Sequence, residues 1–454
     1  MQSNPIQQRI ELICEKWEEA KKHHQARVVR IECQADELDM VDTFYTYMIG
    51  ADTPIMDIAF HFESAYTDPK LFSRQLLNEL EDIIHIWNNS QKDPRIEYVP
   101  IRWKPDYSRE KDKNPAAMFV DNFNRLAEEM DLEKQLYAVA IFKTAIFNKE
   151  IILWLQHAIK AGISPAVKFL VHDPITVPHF RAFVRDWDPL TATIPINLNM
   201  PKAMEQTAAM GDPKDPATAY RQTFMKMINA MTAQKEEEAE KWGTECLAIA
   251  TQHLSRDPYW ITQIVVVYVA MGNDKIRYKK KQETLAYANK AVETAIASQT
   301  YFENEMASVL LAQSLMFRGT VLQLHGNFAD SHTDFSTAYP LYKKQNNMHL
   351  AIEACRMAGK SALKAGLSVQ AIDILADGAR LGRSFDTMTA NSSTYPGLLE
   401  LLLKSNHIKA ISIAEIDEIA RNHYGKDWMK TVFNWKQPPE KEALKQQEAE
   451  AATS

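Results

Sequence analysis

Side chains able to bind a ligand or move a proton follow the predicted β-strands of the N-terminal half. They are Asp36, Glu63, Lys143, His172 and Asp173. Because ligands of open parallel sheets bind beyond the carboxyl ends of the strands, this set could form a crevice for a ligand or for acid/base chemistry. Acidic residues just before a helix also cap its N–H groups, as expected for residues 36–39 and for Asp68. Capping is the favoured interpretation, so the sequence predicts no catalytic residue and no metal site.

A second candidate is the octapeptide ACRMAGKS at residues 354–361, which satisfies a relaxed phosphate-loop pattern with Ala in place of the first Gly. A working loop needs a strand before it, whereas residues 347–353 have a helical pattern. Within the first 200 residues, Gly50 and Gly162 lie in no GxGxxG or GxxxxGK[ST] context after a strand. Without such glycines the backbone cannot approach a pyrophosphate closely. The sequence therefore predicts no nucleotide cofactor.

Composition limits the class of protein. The 454 residues are 46% hydrophobic, as in a globular protein, and the net charge of −7 argues against a dedicated nucleic-acid surface. The apolar run at residues 261–271 is shorter than the roughly 20 residues of a membrane helix. The N-terminus lacks the basic start and apolar core of a signal peptide, and the four cysteines form no CxxC pair. We therefore expect a reduced, cytoplasmic protein without membrane insertion.

Strand and helix patterns alternate between residues 25 and 200. Strands are predicted at 27–33, 56–62, 97–101, 136–142, 166–171 and 191–195. Helices are predicted between them, near 38–48, 69–87, 115–130 and 148–161. This alternation predicts right-handed crossovers and a mostly parallel sheet covered by helices. An amphipathic helix within residues 1–24 is expected to pack on this α/β domain.

The second half has a helical pattern. Residues 201–220 lack a sustained apolar period and are predicted to be a linker. Within the all-α domain at 221–435, helices are predicted near 218–234, 236–254, 257–271, 281–299, 303–325, 327–344, 347–365 and 368–382. Breaks are expected at 272–274, 326–327, 346–347 and 391–396. Antiparallel helix pairs of this kind predict an α-solenoid, and the polar residues 436–454 predict a disordered tail.

A repeat lies inside this helical domain. Five positions recur after 40 residues: Gly319, Gly326, Ser331, Phe335 and Ala338 correspond to Gly359, Gly366, Ala371, Leu375 and Gly378. Small residues stand at four of the five places and a bulky apolar residue at the other. Two antiparallel helices need this arrangement to pack closely and to stack on the next pair.

The repeated unit resembles a tetratricopeptide repeat, whose small residues let the first helix approach its neighbour and whose aromatic residue locks the second helix in place. The unit departs from that family in its period, 40 against about 34, and in having Leu375 for the aromatic. The resemblance implies a groove that binds a protein partner or a second copy and carries no chemistry of its own. Helical phase suggests four exposed candidates in the groove: Gln313, Arg318, Gln323 and Arg356.

The order of the domains is similar to that of the signal-transduction ATPases with numerous domains. The resemblance implies a degenerate phosphate-loop-like α/β domain that has lost the loop itself. The sequence thus favours a non-enzymatic adaptor or scaffold. The alternatives are a nucleotide-dependent regulator that uses Lys143 and the strand-end carboxylates, a hydrolase that uses Glu63 with His172-Asp173, and a structural subunit of a large bacterial-type assembly.

Overall fold

The structure is a computed structural model that describes residues 4–50, 53–64, 66, 68–89, 100–133, 135–142, 151–302, 305–405 and 409–435. The chain divides into two compact units, Met1–Met210 and Gly211–Ser454. The predicted tail at 436–454 lies outside the described residues. Among the described helices, none combines the length and the apolar character needed to cross a membrane.

The N-terminal unit is built on a parallel sheet, as the alternating pattern predicts. Its described strands are β1 (Val28–Cys33), β2 (Ile58–Phe62), β3 (Ala138–Phe142), β4 (Val167–Pro174) and β5 (Thr191–Pro195). They lie in the order β2-β3-β4-β1-β5, with parallel pairing throughout. Every residue of β3 is buried, because both faces of the sheet are covered.

The described α-helices that surround or follow this sheet are α1 (Pro5–Lys21), α2 (Leu38–Ile49), α3 (Pro69–Asn89), α4 (Ala117–Glu129), α5 (Ile151–Ala161), α6 (Arg181–Asp186) and α7 (Met200–Ala208). Apolar residues of α3, α4 and α5 pack on one face of the sheet together with Phe60, Phe142 and Phe169. Helices α1 and α2 pack on the other face. The two apolar layers alternate along each strand, which is the period-two pattern of a sheet buried on both sides.

The ends of several helices follow sequence chemistry. Asp68 accepts hydrogen bonds from the N–H groups of Lys70 and Leu71 and so caps α3, as predicted. The N-terminal helix α1 lies on the sheet unit, where Trp17 is fully buried and donates from Nε1 to Asp57 at 2.8 Å. The predicted strand at 97–101 is different: residues 97–99 lie outside the described part of the chain, and Ile101 belongs to no strand.

The predicted linker at 201–220 is largely helical, and this is a correction. Helix α7 occupies its first part, and the next helix begins at Pro216. Asn199 and Asp215 cap these two helices through their side chains, with Pro at N1 or N2 in each. Pro and Asp therefore mark helix starts here, and the irregular connection is confined to residues 209–215.

The C-terminal unit consists of antiparallel helices. They are α8 (Pro216–Thr232), α9 (Glu236–Leu254), α10 (Trp260–Arg277), α11 (Lys281–Ala297), α12 (Glu305–Leu324), α13 (Phe328–Lys344), α14 (Met348–Lys364) and α15 (Ser368–Leu381). Four shorter helices follow and share one apolar core with α14 and α15. These are α16 (Thr387–Ser392), α17 (Tyr395–Lys404), α18 (Ile413–Tyr424) and α19 (Trp428–Phe433).

The break predicted at 272–274 does not exist, because α10 continues to Arg277. Gly272 ends no helix here. A Cβ atom at Gly272 would lie 2.7 Å from Cζ of Phe317, so the glycine permits a close approach of α12. The predicted breaks at 326–327 and 346–347 are confirmed as connections between helices.

Candidate functional site

The crevice between β1 and β4 is the place where an open parallel sheet of this order would bind a ligand. After β1 the chain passes to α2 on one face of the sheet, and after β4 it passes to α6, whose Phe183 packs on the opposite face. Two adjacent strands whose connections leave on opposite faces form a topological switch point. The residues at this point decide whether the crevice is open to a ligand.

Asp173 fills the β4 side of the crevice. Its carboxylate is fully buried and accepts hydrogen bonds from the N–H groups of His179 and Phe180 at 2.8 and 3.0 Å. It also pairs with Arg30 of β1 at 3.1 Å, and Arg30 in turn pairs with Glu32 at 2.8 Å. The backbone donors that could hold an anion are thus already occupied by a carboxylate of the chain.

Glu37 fills the β1 side in the same way. Its side chain is 1% exposed and accepts hydrogen bonds from the N–H groups of Gln34 and Leu198. Two buried carboxylates, Glu37 and Asp173, therefore flank the carboxyl ends of β1 and β4. A phosphate placed there would meet the like charge of these two carboxylates. The backbone N–H groups that donate to Glu37 and Asp173 would not be free to bind it.

A buried Tyr–His contact lies behind this crevice. The hydroxyl of Tyr45 is 3.0 Å from Nδ1 of His172, and both side chains are buried. Burial raises the pKa of Tyr45, and it raises the pKa of the nearby Cys33 thiol to about 12. Neither group is ionised near neutral pH, so neither is prepared to act as a base or a nucleophile.

The described strand-end residues lie on or after three different strands of the sheet. His172 and Asp173 lie together on β4, whereas Asp36 is exposed and Glu63 follows the edge strand β2. β2 lies two strands from β4, about 10 Å away at the usual spacing of strands. Lys143 lies outside the described residues. Sequence analysis missed Arg30, although a charged residue inside the apolar run of β1 indicates a buried partner.

The helical unit contains four structurally equivalent repeats, made of α8–α9, α10–α11, α12–α13 and α14–α15. In each repeat, one buried residue of the first helix is followed 12, 16 and 19 positions later by three buried residues of the second helix. These packing positions are Met227, Ala239, Gly243 and Cys246; Gly272, Thr284, Ala288 and Ala291; Gly319, Ser331, Phe335 and Ala338; and Gly359, Ala371, Leu375 and Gly378. The sequence predicts the last two repeats, and the first two follow the same spacing with other residue types.

Close approach explains the glycines of the last two repeats. A Cβ atom at Gly319 would lie 2.9 Å from the ring of Phe335, and one at Gly359 would lie 2.4 Å from Cγ of Leu375. Each pair places a missing side chain opposite a bulky one. The two helices of a repeat therefore pack closely at the positions that the 40-residue repeat marks.

The connection inside each repeat is the same three-residue turn. Its middle residue has a positive φ: 55° at Gln234, 57° at Lys279, 83° at Gly326 and 76° at Gly366. The N–H of the next residue donates to the carbonyl five positions earlier, at 2.8 to 3.1 Å. This is the geometry of a Schellman helix end, which favours glycine. Glycine stands at this position in two of the four turns, at Gly326 and Gly366.

Polar side chains tie neighbouring helices together. Nζ of Lys275, 2% exposed, bonds to the carboxylates of Glu236, Glu240 and Glu283 on the two flanking helices. Burial opposes the charge of Lys275, but these hydrogen bonds outweigh it and raise its pKa. The three carboxylates lie close enough to share one cation, and the ammonium of Lys275 provides that cation.

The first helices of the repeats, α8, α10, α12 and α14, share a set of equivalent positions, which we call the open face. In each repeat the open face has four members, counted from the first packing residue (Met227, Gly272, Gly319 or Gly359). Two members precede that residue, by 6 and 3 positions, and two follow it, by 1 and 5 positions. They are Arg221, Phe224, Ile228 and Thr232; Val266, Val269, Asn273 and Arg277; Gln313, Met316, Thr320 and Leu324; and Glu353, Arg356, Lys360 and Lys364. All are exposed or half-buried except Arg356. The open face includes large apolar side chains, with Val266 43% and Leu324 60% exposed.

The four predicted groove residues differ in their surroundings. Gln313 is exposed on the open face, but Arg318 is not among the residues of that face and binds Asp334 through two nitrogens at 2.7 and 2.8 Å. Gln323 donates to the buried hydroxyl of Ser361 at 2.9 Å. Arg356 is 3% exposed, so the prediction of an exposed side chain is wrong there. Ion pairing and packing hold three of these four side chains within the unit.

The octapeptide at 354–361 lies in the interior of α14, as its helical surroundings predict. Its Gly359 packs against Leu375, and its Ser361 is buried 3.0 Å from the hydroxyl of Ser331. Backbone N–H groups inside a helix bond to the preceding turn and cannot cradle a phosphate.

No protein-family model matches the chain, and no curated protein matches its sequence. Among solved structures, the chain is similar to the crystal structure of a signal transduction ATPase with numerous domains, with a tetratricopeptide repeat sensor, from Pyrococcus horikoshii. The two sequences are 8% identical, and the match covers 90% of this chain and 95% of that chain with a TM-score of 0.22. Agreement this loose carries no argument, and the inferences below rest on the residues of this chain.

Proposed function

We propose that the C-terminal unit binds a protein partner through the open face, and that this adaptor role is not enzymatic. The observation that supports it most is the contrast within the repeats: the packing positions are buried in all four, while the open face stays accessible along three helices. Apolar side chains held at equivalent accessible positions mark a surface for another protein. The partner is either a different protein or a second copy of this chain.

Affinity capture from a cell extract with quantitative mass spectrometry tests this proposal. Glutamate at Val266 and Leu324 places charge on the open face, and we expect proteins captured by the wild-type chain to be lost. The matched control places glutamate at Ile296 and Val369, which are 52% and 69% exposed and lie outside the open face. Equal capture by the two double variants would contradict the proposal. Light scattering of the same proteins separates self-association from capture of another protein.

The nucleotide-dependent alternative gains no support from the crevice, because Glu37 and Asp173 occupy the donors that a phosphate would need. We expect calorimetry with magnesium and ATP or GTP to show no binding by the full chain. Micromolar binding would support the alternative and make Asp173 the next residue to substitute.

For the location we propose the cytoplasm, because the four cysteines are buried and unpaired, as in proteins kept reduced.

A further inference from the structure

The chain itself covers the open face at its fourth helix. The ring of Trp435 lies over the guanidinium of Arg356, with its centroid 5.9 Å from Cζ. The residues at the same position of the other three repeats, Phe224, Val269 and Met316, are half-buried, whereas Arg356 is 3% exposed. Trp435 and α17, which shares an apolar core with α14, thus cover a position that is half-buried on the other three helices.

The ring fits a site prepared for it. A Cβ atom at Gly397 of α17 would lie 2.3 Å from the nearest ring carbon of Trp435, and its three nearest atoms all belong to that ring. Arg356 is fixed by two hydrogen bonds of 2.7 Å to Glu353. A held guanidinium and a bare glycine backbone both contact the indole, which is an arrangement that suits an aromatic ring.

The contact is separate from the anchors of α19. That helix is held by Trp428 and Val432, which are 1% and 0% exposed, and Trp428 donates from Nε1 to Asp417 at 2.8 Å. Trp435 follows the end of α19 and stays half-buried. The buried anchors of α19 are therefore residues other than Trp435.

We propose that Trp435 is a displaceable occupant of the open face, and that a partner segment bearing an aromatic side chain takes its place between Arg356 and Gly397. The inference deepens the proposed function and rests on it for the partner. The chain's own Trp435 then competes with the partner for this site. The affinity of the partner must overcome an intramolecular competitor, which acts at an effective concentration on the order of mM.

Fluorine NMR of the full chain labelled with 5-fluorotryptophan tests the occupancy. The Trp435 signal is assigned with Trp435→Phe, and the shift between H2O and D2O reports exposure of the ring. Gly397→Ala adds a Cβ that overlaps the ring, while alanine favours the helix more than glycine does. We expect the Trp435 signal of Gly397→Ala and of Arg356→Ala to move to the value of a solvent-exposed indole, and Gln313→Ala to leave it in place. A Trp435 signal that is the same in the wild type and in Gly397→Ala would overturn the proposal.

A synthetic peptide with the sequence of residues 433–441, labelled for fluorescence anisotropy, tests the vacant site. We expect Trp435→Ala to bind it at least about tenfold more tightly than the wild type, whose own ring competes. Adding Gly397→Ala to that variant should abolish binding. Equal affinity for the wild type and Trp435→Ala, or binding to neither, would reject the aromatic site. Both measurements use this chain alone, so a failed capture experiment would reject the proposed function and leave the occupancy of the site intact.

Discussion

Arg318 shows how a charged side chain that resembles a binding residue can be structural. Its side chain is 26% exposed, and its guanidinium bonds to both oxygens of Asp334, whose side chain is 5% exposed. Charge reversal at Arg318 would leave the Asp334 carboxylate buried beside a like charge. Substitutions there therefore test stability and do not test partner binding.

Arg318→Ala is expected to lower the free energy of unfolding by about 2 to 3 kcal/mol, because the nearly buried carboxylate of Asp334 loses its cation. Asp334→Asn in the same chain should restore part of the loss. Urea unfolding measures both. Arg185→Ala serves as the control, since Arg185 and Asp186 form a pair that is 77% and 57% exposed, and little change is expected. An effect no larger than that of the control would show that Asp334 needs no partner.

Lys168 gives a pH-dependent prediction. It is 1% exposed on β4, donates to the carbonyls of His23 and Ala26, and lies 4.6 Å from the ring centroid of Tyr137. Burial lowers its pKa from the ordinary 10.5 to about 8. Between these two pH values the unfolded chain holds a proton that the folded chain has released. The folded state is therefore favoured increasingly as the pH rises through this window.

The wild type should gain stability relative to Lys168→Met from pH 8 upward, by as much as about 1.4 kcal/mol per pH unit. Urea unfolding of both proteins at pH 7.5, 8.5 and 9.5 provides the comparison. Other titrating groups are shared by the two proteins and cancel. A constant difference across this range would mean that Lys168 titrates normally.

At the scale of the element, the four turns share one geometry, so losing a glycine and gaining a glycine there should have opposite effects on stability. Gly326 and Gly366 have no atoms within 4 Å of an added Cβ, so alanine there meets only the unfavourable positive φ. We expect each of these two changes to lower the unfolding free energy by about 1 kcal/mol. Gln234→Gly and Lys279→Gly should raise it by about 0.5 to 1 kcal/mol, because they relieve the same strain. Thermal unfolding of the four single variants compares them, and equal signs for both pairs would contradict the common turn.

Helices and strands with a clear period could be predicted from sequence. β5 at Thr191–Pro195 and α9 at Glu236–Leu254 match the predicted bounds, because alternation and helical spacing reflect burial on one or two faces. The break predicted at Gly272 is wrong because glycine both ends helices and permits close packing, and sequence does not separate the two uses. The first repeat was missed for a related reason, since Met227 and Gly243 exchange the large and small positions of the later repeats.

The surroundings of candidate residues could not be predicted. Helical phase predicted an exposed Arg356, but Trp435, whose ring lies over its guanidinium, is 79 positions later in the chain. The surroundings of Asp173 could not be predicted either, because its pairing with Arg30 depends on β1 and β4 being neighbours in the sheet. Contacts between distant segments decide exposure, and no local pattern contains them.

At the scale of the whole molecule, the four cysteines report on the two compact units separately. Cys14 and Cys33 lie in the N-terminal unit, Cys246 and Cys355 in the C-terminal unit, and all four are at most 8% exposed. Burial raises the pKa of Cys14 to about 11 and that of Cys246 to about 12, so the native thiols should react slowly with iodoacetamide.

Pulses of iodoacetamide at increasing urea, followed by mass spectrometry, should therefore label the cysteines in pairs. We expect Cys14 and Cys33 to share one midpoint and Cys246 and Cys355 to share another, since each unit has its own apolar cores. Rapid labelling of Cys33 without urea would contradict its burial. Different midpoints within one pair would show that the unit opens in parts.

The position of β1 in the sheet has a consequence for synthesis. Val28 pairs with Phe169 of β4 and with Thr191 of β5, each more than 140 positions later in the chain. At about 5 to 20 residues per second, β1 leaves the ribosome roughly 7 to 28 s before its first neighbour in the sheet exists. Each helical repeat, in contrast, joins two helices through three residues and can close as soon as it emerges. During synthesis the first strand therefore stays without its sheet neighbours far longer than the first helix of a repeat waits for the second.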